Sequence, residues 1–393
     1  MRLKRLTTHL RRVRLAAVVI VGVLVVLAAA WAAPRTSRAA AEPLRTPQVR
    51  LDQIEVPGGL PVTAGRSSAS SSASRAGADP QPVTLDAGMR FFMVGVICDT
   101  PDAAGEVVVQ LRTSNDGQSW SRWYQAALEY GAQGGQAGES FIEPLWTGAG
   151  RYVQVSARAG TARAPLELGN VRVVAIDSVE QVAAESGVPV SAAARVSLAA
   201  PAAVVPAAPP IVTRQEWGAD ESLRGSAPSY ATVKMAFVHH TASDNVYTQA
   251  DAPAIVRGIY AYHTQALGWN DIGYNFLIDR FGTIYEGRYG GVAEGVVGAQ
   301  VLGFNTGSTG VSVIGTYVDE APPAAAVTAL ENLLAWKLSP GGLDPLGTAK
   351  MTCGSTEKFK AGAAVTLPVI AGHRDANYTE CPGDALYALL PTV

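Results

Sequence analysis

From residue 211 onward the apolar positions follow two different periods. Val233 to His239 is a continuous apolar run of strand length. Asp251 to Leu267 places Ile255, Ile259, Tyr262, His263, Ala266 and Leu267 on one face of a helix. Tyr274–Ile278 and Gly282–Glu286 read as paired strands turning at Asp279-Arg280-Phe281-Gly282, and Gly310–Thr316 as another apolar strand. Pro322–Leu338 reads as a second helix with Val327, Leu330, Leu334 and Leu338 in phase. Val365–His373 reads as a last strand and Asp384–Leu390 as a short helix. Helices punctuating strands predict an α/β domain over 211–393, a central mixed β-sheet flanked by helices.

Residues 81–177 alternate with period two instead. Val107, Val109 and Leu111 share one face of a strand, as do Val153, Val155 and Ala157, and Asn115-Asp116-Gly117 is a turn signal between such runs. This predicts a smaller all-β sandwich domain ahead of the α/β domain. Its Trp120, Trp123, Tyr124 and Trp146 form either a sugar-stacking surface or part of the core. Residues 42–80, with the run Arg66-Ser67-Ser68-Ala69-Ser70-Ser71-Ser72-Ala73-Ser74, read as a disordered Ser/Ala-rich tether. Residues 178–210 read as an Ala/Pro-rich linker.

Residues 1–41 read as a targeting segment. Arg2, Lys4, Arg5, Arg11, Arg12 and Arg14 form a basic head, and Leu15–Ala33 is an apolar run that serves either as a signal peptide or as a membrane anchor. Both readings send the rest of the chain outward. They predict an exported protein, secreted or associated with the cell wall, touching the membrane only through residues 15–33. With a net charge of −2 there is no basic field to recruit nucleic acid, so no nucleic-acid partner is expected.

Four of the five histidines fall in the α/β domain: His239, His240, His263 and His373. His239-His240 closes one predicted strand and His373 another, and strand ends beside loops are common places for sites. Cys381 follows His373 by eight residues and precedes a short predicted helix, whose dipole favours thiolate. Two imidazoles and a thiolate are three protein ligands, which for zinc is the catalytic pattern with one open position. Neighbouring strand residues face opposite ways, so only one of His239 and His240 can join, and periodicity does not choose between them. His263 reads as a structural histidine on the apolar helix face. The same ligand set also suits a blue-copper centre, with Met235 or Met351 as axial partner, although such a domain is expected to be all-β.

Residues 211–393 resemble the peptidoglycan recognition protein domain, related to phage amidase-type lysozymes. The resemblance is carried by Thr213-Arg214-Gln215-Glu216-Trp217-Gly218-Ala219, Phe237-Val238-His239-His240-Thr241-Ala242, Gly268-Trp269-Asn270-Asp271-Ile272-Gly273-Tyr274-Asn275-Phe276 and Ile284-Tyr285-Glu286-Gly287-Arg288. It continues through Gly310-Val311-Ser312-Val313-Ile314-Gly315 and Gly372-His373-Arg374-Asp375 to Cys381-Pro382-Gly383. It implies a Zn2+ site of His239, His373 and Cys381, with Tyr274 and Thr379 as catalytic residues. It also implies bacterial peptidoglycan as partner and, as reaction, hydrolysis of the amide bond between N-acetylmuramic acid and L-alanine. Binding-only members usually lack the cysteine, so Cys381 argues for an amidase over a non-catalytic peptidoglycan receptor. Where relatives often continue Tyr-Glu-Gly-Arg with Gly-Trp, this chain has Tyr289-Gly290, and the family's usual disulfide near the first helix has no cysteines here. Glu286 is a general-base candidate by chemistry alone. The strand beginning at Tyr274 is expected beside the one ending in His239. With Cys381 assigned to the metal, Cys98 and Cys353 are left to form an inter-domain disulfide in an exported chain.

Overall fold

The computed structural model describes residues 46–64, 81–100, 107–130, 139–159, 166–179 and 206–393. The expected targeting segment, the Ser/Ala run and most of the Ala/Pro linker lie outside the described residues.

The first half is all-β. Its strands are β1 (Arg50–Glu55), β2 (Leu60–Ala64), β3 (Val83–Asp99), β4 (Val107–Ser114), β5 (Tyr124–Ala127), β6 (Glu129–Tyr130), β7 (Glu139–Ala159) and β8 (Leu166–Asp177). β2 and β3 each pair with both β7 and β8, so the sheet closes on itself around an apolar core that includes Phe91, Leu111, Ile142 and Val173. β1 and β2 correct the expected tether at 42–80. Residues 50–64 are ordered strands laid against β8, and their apolar positions Ile54, Val56, Leu60 and Val62 pack on the core. The neighbouring Ser/Ala run masked that alternation in the sequence. Of the aromatic group, Tyr124 and Trp146 are buried, whereas Trp120 and Trp123 are half-buried and share the Arg112 guanidinium.

The second half is a six-stranded mixed sheet built from β9 (Ile211–Val212), β10 (Met235–His240), β11 (Phe276–Ile278), β12 (Ile284–Glu286), β13 (Ser308–Val313) and β16 (Ile370–Gly372). The order is β16-β10-β13-β11-β12-β9, and only the β11–β12 hairpin is antiparallel. β10 is buried at all six residues because it is the inner strand of three parallel ones, covered on both faces. One face packs on the Ala324–Leu338 helix, the other on the Ala252–Ala261 helix and its π-helical continuation Tyr262–Ala266. The expected strand 365–373 breaks at Val369. Its first part, β15 (Ala364–Pro368), leaves to pair with β14 (Thr348–Thr352) in a separate hairpin. The strand after Tyr274 does not lie beside β10 either, since β13 is inserted between them.

The two halves share a core. Met93, Phe141, Trp146 and Ile176 of the β domain pack with Ile255, Ile259, Tyr262 and Trp269 of the second. Tyr262 donates its hydroxyl hydrogen between Val96 O and Ile142 O, at 3.2 and 2.9 Å. Asp244 accepts from Arg122 and from the Tyr124 hydroxyl. Residues 46–393 accordingly form one compact unit. Cys98 and Cys353 are both free, each buried in a separate core, so the expected disulfide is corrected: apolar packing joins the domains.

Candidate metal centre

Strand register builds the site. Val238 of β10 pairs with Gly372 of β16 in parallel, so the residues that follow, His239 and His373, emerge side by side at the carboxyl edge of the sheet. Their rings lie 4.6 Å apart between centroids. Open α/β sheets place ligands at that edge. The chain turns through the short helix His373–Ala376 and returns Cys381, whose Sγ lies 3.7 Å from His239 Nδ1. One ligand atom from each of His239, His373 and Cys381 lies within 4.8 Å of the others. A tetrahedral zinc ion would need roughly 3.3–3.6 Å between such donors, so a small closure suffices. His240 points the other way and accepts from Tyr317 N through Nδ1, which resolves the choice between the neighbours.

The electrostatics suit a cation. Burial holds His239 well below the usual imidazole range and His373 at about 4, so both offer uncharged nitrogens. His373 Nδ1 is buried without a hydrogen-bond partner. Burial pushes the Cys381 thiol well above its ordinary value, with the Glu129 charge adding to the effect. This corrects the expectation that a helix dipole favours thiolate: the following helix, Asp384–Tyr387, has only four residues, and desolvation wins. The peptide N–H of His240 donates to Cys381 Sγ at 3.4 Å, a contact that strengthens when the sulfur carries charge. An orphaned nitrogen, a second imidazole and a sulfur facing an N–H form a donor set that fits a borderline-soft divalent ion.

Tyr274 is buried, with its ring 5.3 Å from that of His239, and burial keeps its phenol protonated. Thr379 Oγ1 accepts from Cys381 N at 3.1 Å, leaving its own hydrogen free to donate. A groove runs past His373 and Thr379, with Trp269 and Gln300 along it. Glu286 is engaged elsewhere: it accepts from Arg214 N, capping the Arg214–Trp217 turn, and so is corrected as a general base.

Two carboxylates absent from the sequence reading come from the β domain. Glu129 Oε1 lines the groove 4.0 Å from His373 Nδ1, where burial and the Glu143 and Glu357 charges raise its carboxyl. Glu143 is buried and meets His263 Nε2 through both oxygens at 3.2 Å. The sequence did hold a signal for Glu143. It is the lone charge in Phe141-Ile142-Glu143-Pro144-Leu145-Trp146, and an ionisable group in an apolar strand calls for a partner.

Comparison with known proteins adds to this geometry. Residues 229–384 match the N-acetylmuramoyl-L-alanine amidase family, and residues 36–185 match the Rv3811 N-terminal galactose-binding domain-like family. Peptidoglycan-recognition protein SC2 of Drosophila simulans is 34% identical over 178 residues, covering 45% of this chain and 82% of that protein. The chain belongs to the peptidoglycan recognition protein family. Peptidoglycan recognition protein 1 of Bos taurus is 33% identical over 186 residues, 46% of this chain and 82% of that protein. Among solved structures, peptidoglycan recognition protein-LE in complex with tracheal cytotoxin is 32% identical and covers 47% of this chain and 93% of that one, with a TM-score of 0.37. The peptidoglycan recognition family includes catalytic amidases and non-catalytic binders.

Proposed function

We propose that this chain is a zinc-dependent N-acetylmuramoyl-L-alanine amidase acting on bacterial peptidoglycan. The observation that carries the reading is the buried convergence of His239, His373 and Cys381 beside an open groove. Zn2+ held by these three residues would supply a water of lowered pKa and an electrophile for the substrate carbonyl. The chain's own groups complete the work. The His240 peptide N–H steadies the sulfur of Cys381. Tyr274 and Thr379 place two hydroxyls near the reacting centre, one to orient the nucleophile and one to donate to the developing oxyanion. A threonine offers no positive charge, so its contribution rests on hydrogen bonding alone.

The reading is tested by incubating the full chain, with and without Zn2+, with purified sacculi and resolving the products by mass spectrometry. Free stem peptide that appears only with metal is expected. Retention of the chain on sacculi without release of stem peptide would instead identify a receptor. The basic head and the Leu15–Ala33 run support export, to a secreted or wall-associated location. Recovery of the native protein solely in the cytoplasm would overturn that part.

A further inference from the structure

The β6–β7 ribbon carries one edge of the β domain to the metal centre. Glu129 of β6 and Phe141 of β7 are antiparallel register partners, so their side chains project from one face. Glu143, two residues along β7 from Phe141, shares that face. All three meet the second domain. Phe141 lies edge-on to Trp269, with ring centroids 5.6 Å apart. Glu143 turns both oxygens to His263 Nε2 at 3.2 Å, so its charge is already engaged. Glu129 comes to 4.0 Å from His373 Nδ1, the buried nitrogen that has no hydrogen-bond partner. It approaches from the groove, whose wall it shares with Phe141, Trp269 and Thr379.

The donor set by itself leaves a charge unbalanced. A divalent ion held by two neutral imidazoles and one thiolate keeps one net positive charge, and a buried charge without a partner is costly. We propose that Glu129 supplies the second negative charge that a divalent cation needs at this centre, so that the site of this chain is shared between its two domains. The inference rests on His239, His373 and Cys381 being zinc ligands and deepens that reading. Glu129 lies outside the 4.8 Å span that gathers the three ligand atoms, so it acts on the ion through its charge and leaves the fourth position open. Glu357 lines the same groove. An acidic wall of this kind is unfavourable for a lone anion and favourable for a cation. Zinc affinity is thereby tied to docking of the β domain, because the ligands and the balancing charge belong to different halves.

Glu129→Gln and Glu129→Asp are made in the full chain, and affinities for Zn2+ and Cu+ are measured by chelator competition under anaerobic, reducing conditions. Cu+ suits the same thiolate and imidazoles, and the thiolate alone balances its single charge. The Glu129 side chain is 25% exposed and glutamine matches it in shape, so the fold is expected to persist, with metal-free melting temperatures as the check. Glu129→Gln is expected to weaken Zn2+ binding about 10- to 100-fold, with Cu+ binding close to wild type. Glu129→Asp keeps the charge and is expected to bind Zn2+ more tightly than Glu129→Gln. An equal loss for both ions would overturn the proposal, because a disturbed ligand set weakens every cation alike. Zinc affinity at the wild-type level in Glu129→Gln would remove Glu129 alone and leave the ligand set standing. A wild type that binds no zinc would instead overturn the metal reading and this proposal together.

Discussion

At Cys381 two opposing influences act on one sulfur. Burial resists ionisation, while the His240 N–H and the two facing imidazoles prepare a place for a thiolate bound to a cation. Removing the sulfur leaves two neutral nitrogens and no charge to balance a divalent ion. Cys381→Ala is therefore expected to purify without zinc and without amidase activity, its melting temperature close to that of the metal-free wild type. Full zinc occupancy by elemental analysis would exclude the ligand assignment. The other two cysteines supply a separate check. With no disulfide, the unfolded, metal-free, unreduced protein should titrate three thiols; a count of one would restore the bridge. In the native state Cys98 should react slowly, because burial pushes its thiol up to about 11. In the sequence His373 and Cys381 were candidates by position alone, whereas His239 was separated from His240 only by what the family resemblance implies. Glu129 did not stand out, and the lone charge at Glu143 called for a partner without naming it, since no local spacing ties either residue to ones more than a hundred positions away. Only the docking of two domains brings them to the site.

Among the elements, β10, the paired strands β11 and β12, and the Ala324–Leu338 helix follow their hydrophobic periods closely. What periodicity could not give was lateral order. The insertion of β13 between β10 and β11 depends on long-range pairing that leaves no local mark. Nor could it show that the helix after Ala261 widens to a π-turn, which carries Tyr262 and His263 toward the β domain. That contact needs a gap in β3, and Gly95 provides it: a Cβ there would sit 2.2 Å from the Tyr262 ring. The ring cannot yield easily, because it is fully buried and its hydroxyl is held by two carbonyls. Gly95→Ala is expected to destabilise the full chain by about 1–3 kcal/mol, the usual range for overpacking. Denaturant unfolding measures this, and a midpoint equal to wild type would show that the helix is free to retreat.

For the whole molecule, the polar seam at Asp244 ties stability to pH. Burial, followed by the Asp244 charge, raises Tyr124 to about 12. Between about 10 and about 12 the unfolded chain has already lost the proton that the folded chain keeps, so folding weakens as pH rises through that window. Denaturant midpoints are expected to fall more steeply over this window in wild type than in Tyr124→Phe; parallel curves would remove Tyr124 from the alkaline response.

Because the halves are joined by the packing of Met93, Trp146, Ile259 and Tyr262, their cohesion does not depend on peptide continuity across 180–205. A protease nick in that stretch should leave one particle that co-migrates by size and separates only in denaturant. By the same logic, the two halves expressed as separate polypeptides should find each other and reconstitute the groove.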